Sequence, residues 1–211
     1  MNVVATANVC DASRARAPLL IGLSTDYVFD GCKAAPYEET DEPRPLSVYG
    51  RTKLEAERLV RAYPRGVVVR LSMLFGPGRS NFCSAMIERA RRGQPVEAYV
   101  DQASSPSYTE DVAEGLDALL GVLKERPVRD PVPVYHIANA GGCRRVEFAS
   151  RVMTLLGYGP SLVRPIRMAQ HQRPAPRPGY SVLSCQSMHA MTGRQLRPWD
   201  EALQAYLRHP Q

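Results

Sequence analysis

The chain has 211 residues, of which 44% are apolar and 23% charged, and it carries a formal net charge of +6. That balance excludes disordered, collagenous and coiled-coil chains and suits one compact domain, or one domain with a small lobe. No run approaches the roughly 18 apolar residues of a membrane span, and the N-terminus lacks the basic start and apolar core of a secretory signal. A soluble, cytoplasmic protein without membrane contact is therefore expected.

In chain order, short apolar runs alternate with longer amphipathic stretches. Leu19–Leu23, Val67–Leu71 and Val132–Ile137 have the length and bounding residues of strands buried on both faces, as in a parallel sheet. Between the first two, Leu46–Tyr63 places Leu54, Leu59 and Val60 among Arg, Lys and Glu, a helical pattern. Residues 81–92 repeat that pattern with Phe82, Ala85 and Met86. Thr109 precedes Glu110 and Asp111, then Val112, Leu116, Leu119 and Leu120 follow. A hydroxyl cap with acids in the first turn meets unpaired amides and the positive dipole end, so a helix starts there. Residues 145–156 form another amphipathic segment, stopped by Gly157. Arg164–Pro178 holds four prolines and four arginines and reads as a stiff extended loop. Trp199–Leu207 reads as a terminal helix. The alternation predicts an α/β fold over a parallel sheet.

Cys10, Cys32, Cys83, Cys143 and Cys185 are scattered and odd in number, which predicts reduced, buried thiols. His136, His171, His189 and His209 are dispersed, and no His/Asp/Glu cluster has metal-ligand spacing. Charge is uneven: residues 1–140 hold 17 basic against 18 acidic side chains, and residues 141–211 hold 10 against 3. The basic final third favours an anionic ligand. Its arginines are separated by Pro, Gly and apolar residues and aromatics are few, so a nucleotide diphosphate fits better than nucleic acid. An ordinary arginine-rich surface is the plainer alternative.

Tyr49 and Lys53 stand four apart at the start of the first strong helix and so share a face. An ammonium beside a phenol favours phenolate, and such a tyrosine can pass a proton to a carbonyl oxygen. Taken alone, such a pair is a weak signal and more often a solvated helix face. Ser24 and Thr25 follow the first strand directly, at the end of a parallel strand where α/β sheets bind ligands. They could also simply cap a turn.

The blocks Ser24-Thr-Asp-Tyr-Val-Phe-Asp-Gly31, Pro36-Tyr-Glu-Glu39, Pro43-Arg-Pro-Leu46 and Tyr49-Gly-Arg-Thr-Lys53 resemble the extended short-chain dehydrogenase/reductases. Within these the chain is most similar to the dTDP-4-dehydrorhamnose reductase group. The resemblance continues through Arg70–Gly76, Asn81-Phe82, Asp101–Ser107, Tyr135–Asn139 and the Arg-Pro pairs at 173 and 177 ahead of Ser181. It implies a Rossmann-type parallel sheet with flanking helices and a small C-terminal substrate-binding lobe. It also implies reduction of a 4-keto group on a nucleotide-diphosphate deoxysugar with NADP or NAD. By that resemblance Thr25 polarises the keto oxygen and Tyr49 donates the proton. Lys53 holds the nicotinamide ribose and lowers the Tyr49 pKa, and Ser24, Leu71, Ser72 and Met73 line the cofactor side. Asn81, Gln102 and Ser105 face the sugar nucleotide, while Arg173 and Arg177 meet its diphosphate.

The family's opening strand and Gly-x-x-Gly-x-x-Gly turn have no counterpart, and Gly76-Pro-Gly78 belongs to a different block. Asn2–Asn8 resembles the family's helix ahead of the Ser-Thr-Asp strand, so the chain starts about one mononucleotide-binding half, roughly 90 residues, late. Residues 1–140 are then the later part of a dinucleotide-binding domain with interleaved substrate segments, and 141–211 are mainly the substrate lobe. A truncated sheet leaves the Leu19–Leu23 strand with a bare edge, which predicts weak dinucleotide binding and association with a second copy or partner chain. Two other readings stay open. One is a non-catalytic regulatory subunit similar to the beta subunit of methionine adenosyltransferase, and the other an inactive truncated pseudoenzyme.

Overall fold

The structure is a computed structural model that describes residues 1–125, 133–171 and 174–208. Its first helix, α1 (Asn2–Ser13), leads to β1 (Leu20–Thr25) and α2 (Val48–Arg61). Next come β2 (Gly66–Leu71), β3 (Leu74–Phe75), α3 (Phe82–Arg91), β4 (Val96–Tyr99), β5 (Ala103–Ser104), β6 (Ser107–Tyr108) and α4 (Thr109–Glu125). The remaining elements are β7 (Val134–His136), β8 (Cys143–Arg144), α5 (Arg145–Leu155), β9 (Val163–Ile166), β10 (Tyr180–Ser181), α6 (Gln186–Thr192) and α7 (Trp199–Arg208). The expected strands and helices thus form, with ends moved by at most two residues.

The main sheet is parallel, in the order β1-β2-β7, and pairs Leu20 with Gly66 through Thr25 with Leu71. β2 is central and buried on both faces. Val67, Val69 and Leu71 point into a core shared with Val112 and Leu119 of α4 and Met188 of α6. Its alternate residue Arg70 points the other way, toward α2, as the two-residue period of a strand requires. There the Arg70 guanidinium grips Glu57 of α2 with two hydrogen bonds of 3.0 and 2.8 Å, and both side chains are only 3% exposed. His136 lies within 3.5 Å of Arg70 and hydrogen-bonds the Ser184 carbonyl through Nδ1. Burial and the neighbouring guanidinium push the His136 pKa down to about 3, so its ring stays neutral.

A second apolar core gathers Phe75, α3, α5 and α7 around Phe148, Val152, Met153 and Leu203. Two short parallel pairings belong to this side, β3 with β6 and β4 with β9. The β4–β9 pair corrects the reading of Arg164–Pro178 as loop throughout. Val163–Ile166 pairs residue for residue with Val96–Tyr99, and Pro165 is tolerated on a short strand at a sheet edge. A second correction concerns the thiols: all five are free, but Cys32 is exposed in the loop after β1.

That loop is held by ring packing and hydrogen bonds. The Tyr37 ring stacks on Phe29 at 4.1 Å and its hydroxyl donates to Asp30. Glu39 accepts the His136 backbone amide and the Ser187 hydroxyl, stapling the loop to β7 and α6. Among the described residues no helix is long and apolar enough to cross a membrane.

Removing one member of a buried ion pair strands the other, which costs about 3–5 kcal/mol. Glu57→Ala should lose stability on that scale in urea unfolding. A loss under about 1 kcal/mol would contradict the burial of the pair.

Candidate active site

The site assembles at the carboxyl ends of β1 and β2. Thr25 ends β1 and caps the single 3₁₀ turn Asp26–Val28, accepting the Tyr27 amide at 3.2 Å. α2 begins at Ser47, whose hydroxyl accepts the Gly50 amide at 3.1 Å. Gly50 is required here: a Cβ at this position would come within 2.3 Å of the Tyr27 carbonyl oxygen. The close approach sets the first turn of α2 against the tip of β1. Tyr49 then stands beside Thr25, its ring edge-on to Tyr27 with centroids 6.2 Å apart.

Lys53, one turn later, donates from Nζ to the Leu23 carbonyl at 2.6 Å. Burial lowers its pKa, opposed by the Glu57 carboxylate on the next turn. The Tyr49 phenol is shifted upward from its ordinary value, chiefly by desolvation, with the Thr25 hydroxyl pulling the other way. The expected lowering by Lys53 is therefore not what the structure gives. The ammonium is turned to the β1 backbone, and loss of water around the ring dominates.

Beneath these groups lies Asp26, which the sequence reading left without a role. Its carboxylate accepts hydroxyl hydrogen bonds from Thr25 at 3.0 Å, Ser72 at 2.8 Å and Ser181 at 2.6 Å. Burial raises its pKa against these three donors and Arg145. Ser24 donates to Glu57 and so belongs to the ion-pair network under Lys53.

Leu71 is buried at the tip of β2 and Ser72 is bonded to Asp26. Met73 has φ +36°, a left-handed conformation that costs a side-chain-bearing residue about 1–3 kcal/mol and often marks a functional site. A groove of about 250 Å³ along the open edge of β1 is lined by Thr6, Val9, Leu23, Ser24, Lys53 and Glu57. Its ammonium, hydroxyl and backbone carbonyl at one strand tip suit the hydroxyls of a ribose, so the residues fit the nicotinamide-ribose end of a dinucleotide.

The residues expected to face substrate divide. The Asn81 carboxamide caps α3, accepting the Cys83 and Ser84 amides and donating to the Gly76 carbonyl. The Ser105 hydroxyl accepts the Leu183 amide, in the buried floor. Arg173 lies outside the described residues. Gln102 and Arg177 do meet, in a cavity of about 180 Å³ that also takes in Phe82, Tyr99, Arg145 and His171. Gln102 is 1% exposed, and both polar atoms of its side chain lack a hydrogen-bond partner among the described residues. An unpaired buried amide costs about 1–3 kcal/mol, so it needs an explanation.

Arg145, also missed from the sequence, opens α5 with its guanidinium 5.1 Å from the centre of the Phe82 ring. Neither Arg145 nor Arg177 makes an ion pair among the described residues. The single signal for Arg145 in the sequence was its place at the head of a predicted helix in the basic final third. A larger cavity of about 630 Å³, between β8 and α6, contains none of Thr25, Tyr49 and Lys53.

Comparison with known proteins shows the family of the chain. A family model described as the RmlD substrate binding domain matches residues 1–211. A dTDP-4-dehydrorhamnose reductase of Mycolicibacterium smegmatis is 38% identical over 208 residues, covering 97% of this chain and 62% of that protein. The spore coat polysaccharide biosynthesis protein SpsK of Bacillus subtilis is 35% identical over 188 residues, covering 89% of this chain and 63% of that protein. The chain thus spans less than two thirds of the length of these curated relatives. Among solved structures, a dTDP-4-dehydrorhamnose reductase of Clostridium acetobutylicum aligns with a TM-score of 0.88 at 32% identity, covering 99% of this chain and 71% of that one. One from Bacillus anthracis, in complex with NADP, aligns at 0.89 with 27% identity, covering 99% and 72%. With a family match over residues 1–211 and a fold shared with a solved relative at a TM-score of 0.88, the chain belongs to the RmlD substrate binding domain family.

Proposed function

We propose that this chain supplies the proton-donating and substrate-binding residues for NAD(P)H-dependent reduction of a 4-keto group on a nucleotide-diphosphate deoxysugar. The observation that supports the reading is Thr25 at the tip of β1 with Tyr49 of α2 beside it and Lys53 anchored on the Leu23 carbonyl, built on the Gly50 contact. The M. smegmatis relative is named as a reductase of such a sugar nucleotide, and the B. anthracis structure carries NADP.

The bound nicotinamide supplies the hydride that reaches the keto carbon. Tyr49 gives its proton to the keto oxygen, and the phenol, whose pKa desolvation shifts upward, stands protonated near neutral pH. Thr25 lies beside the phenol and orients the same oxygen. Lys53, anchored on the Leu23 carbonyl, holds the ribose hydroxyls.

On the substrate side, two arginines and a carboxamide that have no ion pair or hydrogen-bond partner among the described residues line one cavity. Guanidinium groups match phosphate geometry, and a carboxamide can pair with a donor–acceptor edge of the sugar nucleotide. The basic excess of residues 141–211 serves the same anion. The edge of β1 remains open to pairing, with Leu23 half exposed, and a second copy or partner chain is proposed to cover it.

Mixing the protein with NADPH and a dTDP-4-keto-6-deoxysugar should consume the cofactor absorbance. Sugar-nucleotide binding with no consumption would instead favour a non-catalytic regulatory role. Tyr49→Phe should lower kcat about a hundredfold by removing the general acid. Lys53→Ala should lower the rate and raise the KM for cofactor, and a variant with unchanged KM would remove Lys53 from the ribose site. Gln102→Leu should stabilise the chain by up to about 1–3 kcal/mol, because an unpaired buried amide disappears. The same change should weaken dTDP-sugar binding in calorimetry about tenfold, equivalent to about 1.4 kcal/mol.

A further inference from the structure

The three hydroxyls around Asp26 come from three separate parts of the chain. Thr25 ends β1, Ser72 follows β2, and Ser181 belongs to β10. Ser72 and Ser181 both donate to Oδ2, at 2.8 and 2.6 Å, while Thr25 donates to Oδ1 at 3.0 Å. The carboxyl group is 3% exposed, and among the described residues no ion pair reaches it. The charged and titratable groups that face it are Arg145 of α5 and the Tyr49 phenol of α2.

A threonine hydroxyl has one proton to give and two lone pairs. In the arrangement seen here the Thr25 proton points down to Oδ1 of Asp26, and one lone pair accepts the Tyr27 amide. Pointed that way, Thr25 has no proton for an oxygen bound above it. A proton on Oδ1 reverses the hydrogen bond. Asp26 then donates to Thr25, and the Thr25 proton turns toward Tyr49 and the open side of the site. Oδ2 needs no rearrangement, since it goes on accepting from Ser72 and Ser181.

We propose that Asp26 is a positioning residue whose protonation sets the direction in which the Thr25 hydroxyl donates, and with it the second hydrogen bond to the substrate oxygen. The proposal rests on the reductase reading above. In that reaction the keto oxygen gains negative character as hydride arrives, and a second donor beside Tyr49 stabilises it. Asp26 exchanges its proton with water between turnovers and transfers none to the sugar, so the overall balance remains hydride to carbon and the Tyr49 proton to oxygen. Burial of the carboxyl group favours its neutral form, in agreement with a donor role.

The test compares kcat against pH, from 5 to 9, for the unsubstituted chain, Asp26→Asn and Asp26→Ala, using NADPH and a dTDP-4-keto-6-deoxysugar. Asn keeps the shape and offers a permanent donor to Thr25 together with an acceptor for Ser72 and Ser181. The unsubstituted chain should lose kcat as pH rises through the Asp26 titration. Asp26→Asn should stay within about threefold of the acid-side rate and lose that decline. Asp26→Ala should fall about tenfold or more in kcat at an unchanged KM for cofactor. An alkaline decline that persists in Asp26→Asn, or an Ala variant at full rate, overturns the proposal.

A second measurement needs neither cofactor nor substrate. An aspartate with a raised folded-state pKa carries a cost when ionised that disappears as pH falls through that pKa. The Asn variant should therefore melt above the unsubstituted chain at pH 8, and the gap should close toward pH 4. A gap independent of pH also overturns the proposal. Absence of NADPH consumption by the unsubstituted chain would count against the reductase reading, while the melting series still decides whether Asp26 takes up a proton in the fold.

Discussion

A single hydrogen atom, in place of a side chain at residue 50, determines how near α2 comes to the tip of β1. Any Cβ there would overlap the Tyr27 carbonyl, and relief would require the helix to back away from the strand. Tyr49 precedes that glycine and Lys53 follows it by less than one turn, so both would move with the helix. Gly22 plays the matching part further down β1, where a Cβ would lie 2.6 Å from a methyl group of Val60. The helix is thus seated at two points along the strand, and the register of phenol, ammonium and hydroxyl follows from that seating.

Polar groups buried under the strand tips carry the remaining geometry. Glu57 and Arg70 bind one another with both side chains nearly inaccessible, Ser24 joins Glu57, and His136 approaches Arg70. A network of this kind is weak as net stabilisation, because desolvation offsets much of the attraction. Its value is directional: each oxygen and nitrogen admits few partners, and the strands are held in one relative position. Asp26 does the same between β1, the segment after β2 and β10, with neutral hydroxyls in place of a cation. The left-handed Met73 stands one residue beyond Ser72 and stores local strain beside this cluster.

On the opposite side of the site Arg145 and Arg177 make no ion pair and the amide of Gln102 no hydrogen bond among the described residues. Such features work against stability in the isolated chain and in favour of an anionic, hydrogen-bonding ligand. The cavity of about 630 Å³ between β8 and α6 contains none of Thr25, Tyr49 and Lys53. Its walls near α6 include the Cys185 thiol, which burial pushes up to about 12.

Much of this was open to reading in one dimension. Strands and helices followed from periodicity and from local signals such as Thr109 with its acids at α4 and Gly157 after α5, since these depend on neighbours a few residues away. The spacing of Tyr49 and Lys53 likewise determined that they share a helix face. Contacts between distant segments had no such local trace. Pairing of Val163–Ile166 with β4 overrode a proline-rich composition, Asn81 turned its amide into a helix cap, and Cys32 came out on the surface. Asp26 and Arg145 acquired their places through partners up to 155 residues away in the chain. The direction of the Tyr49 shift was also tertiary, because desolvation is a sum over everything packed around a ring, whereas residue spacing specifies only one neighbour.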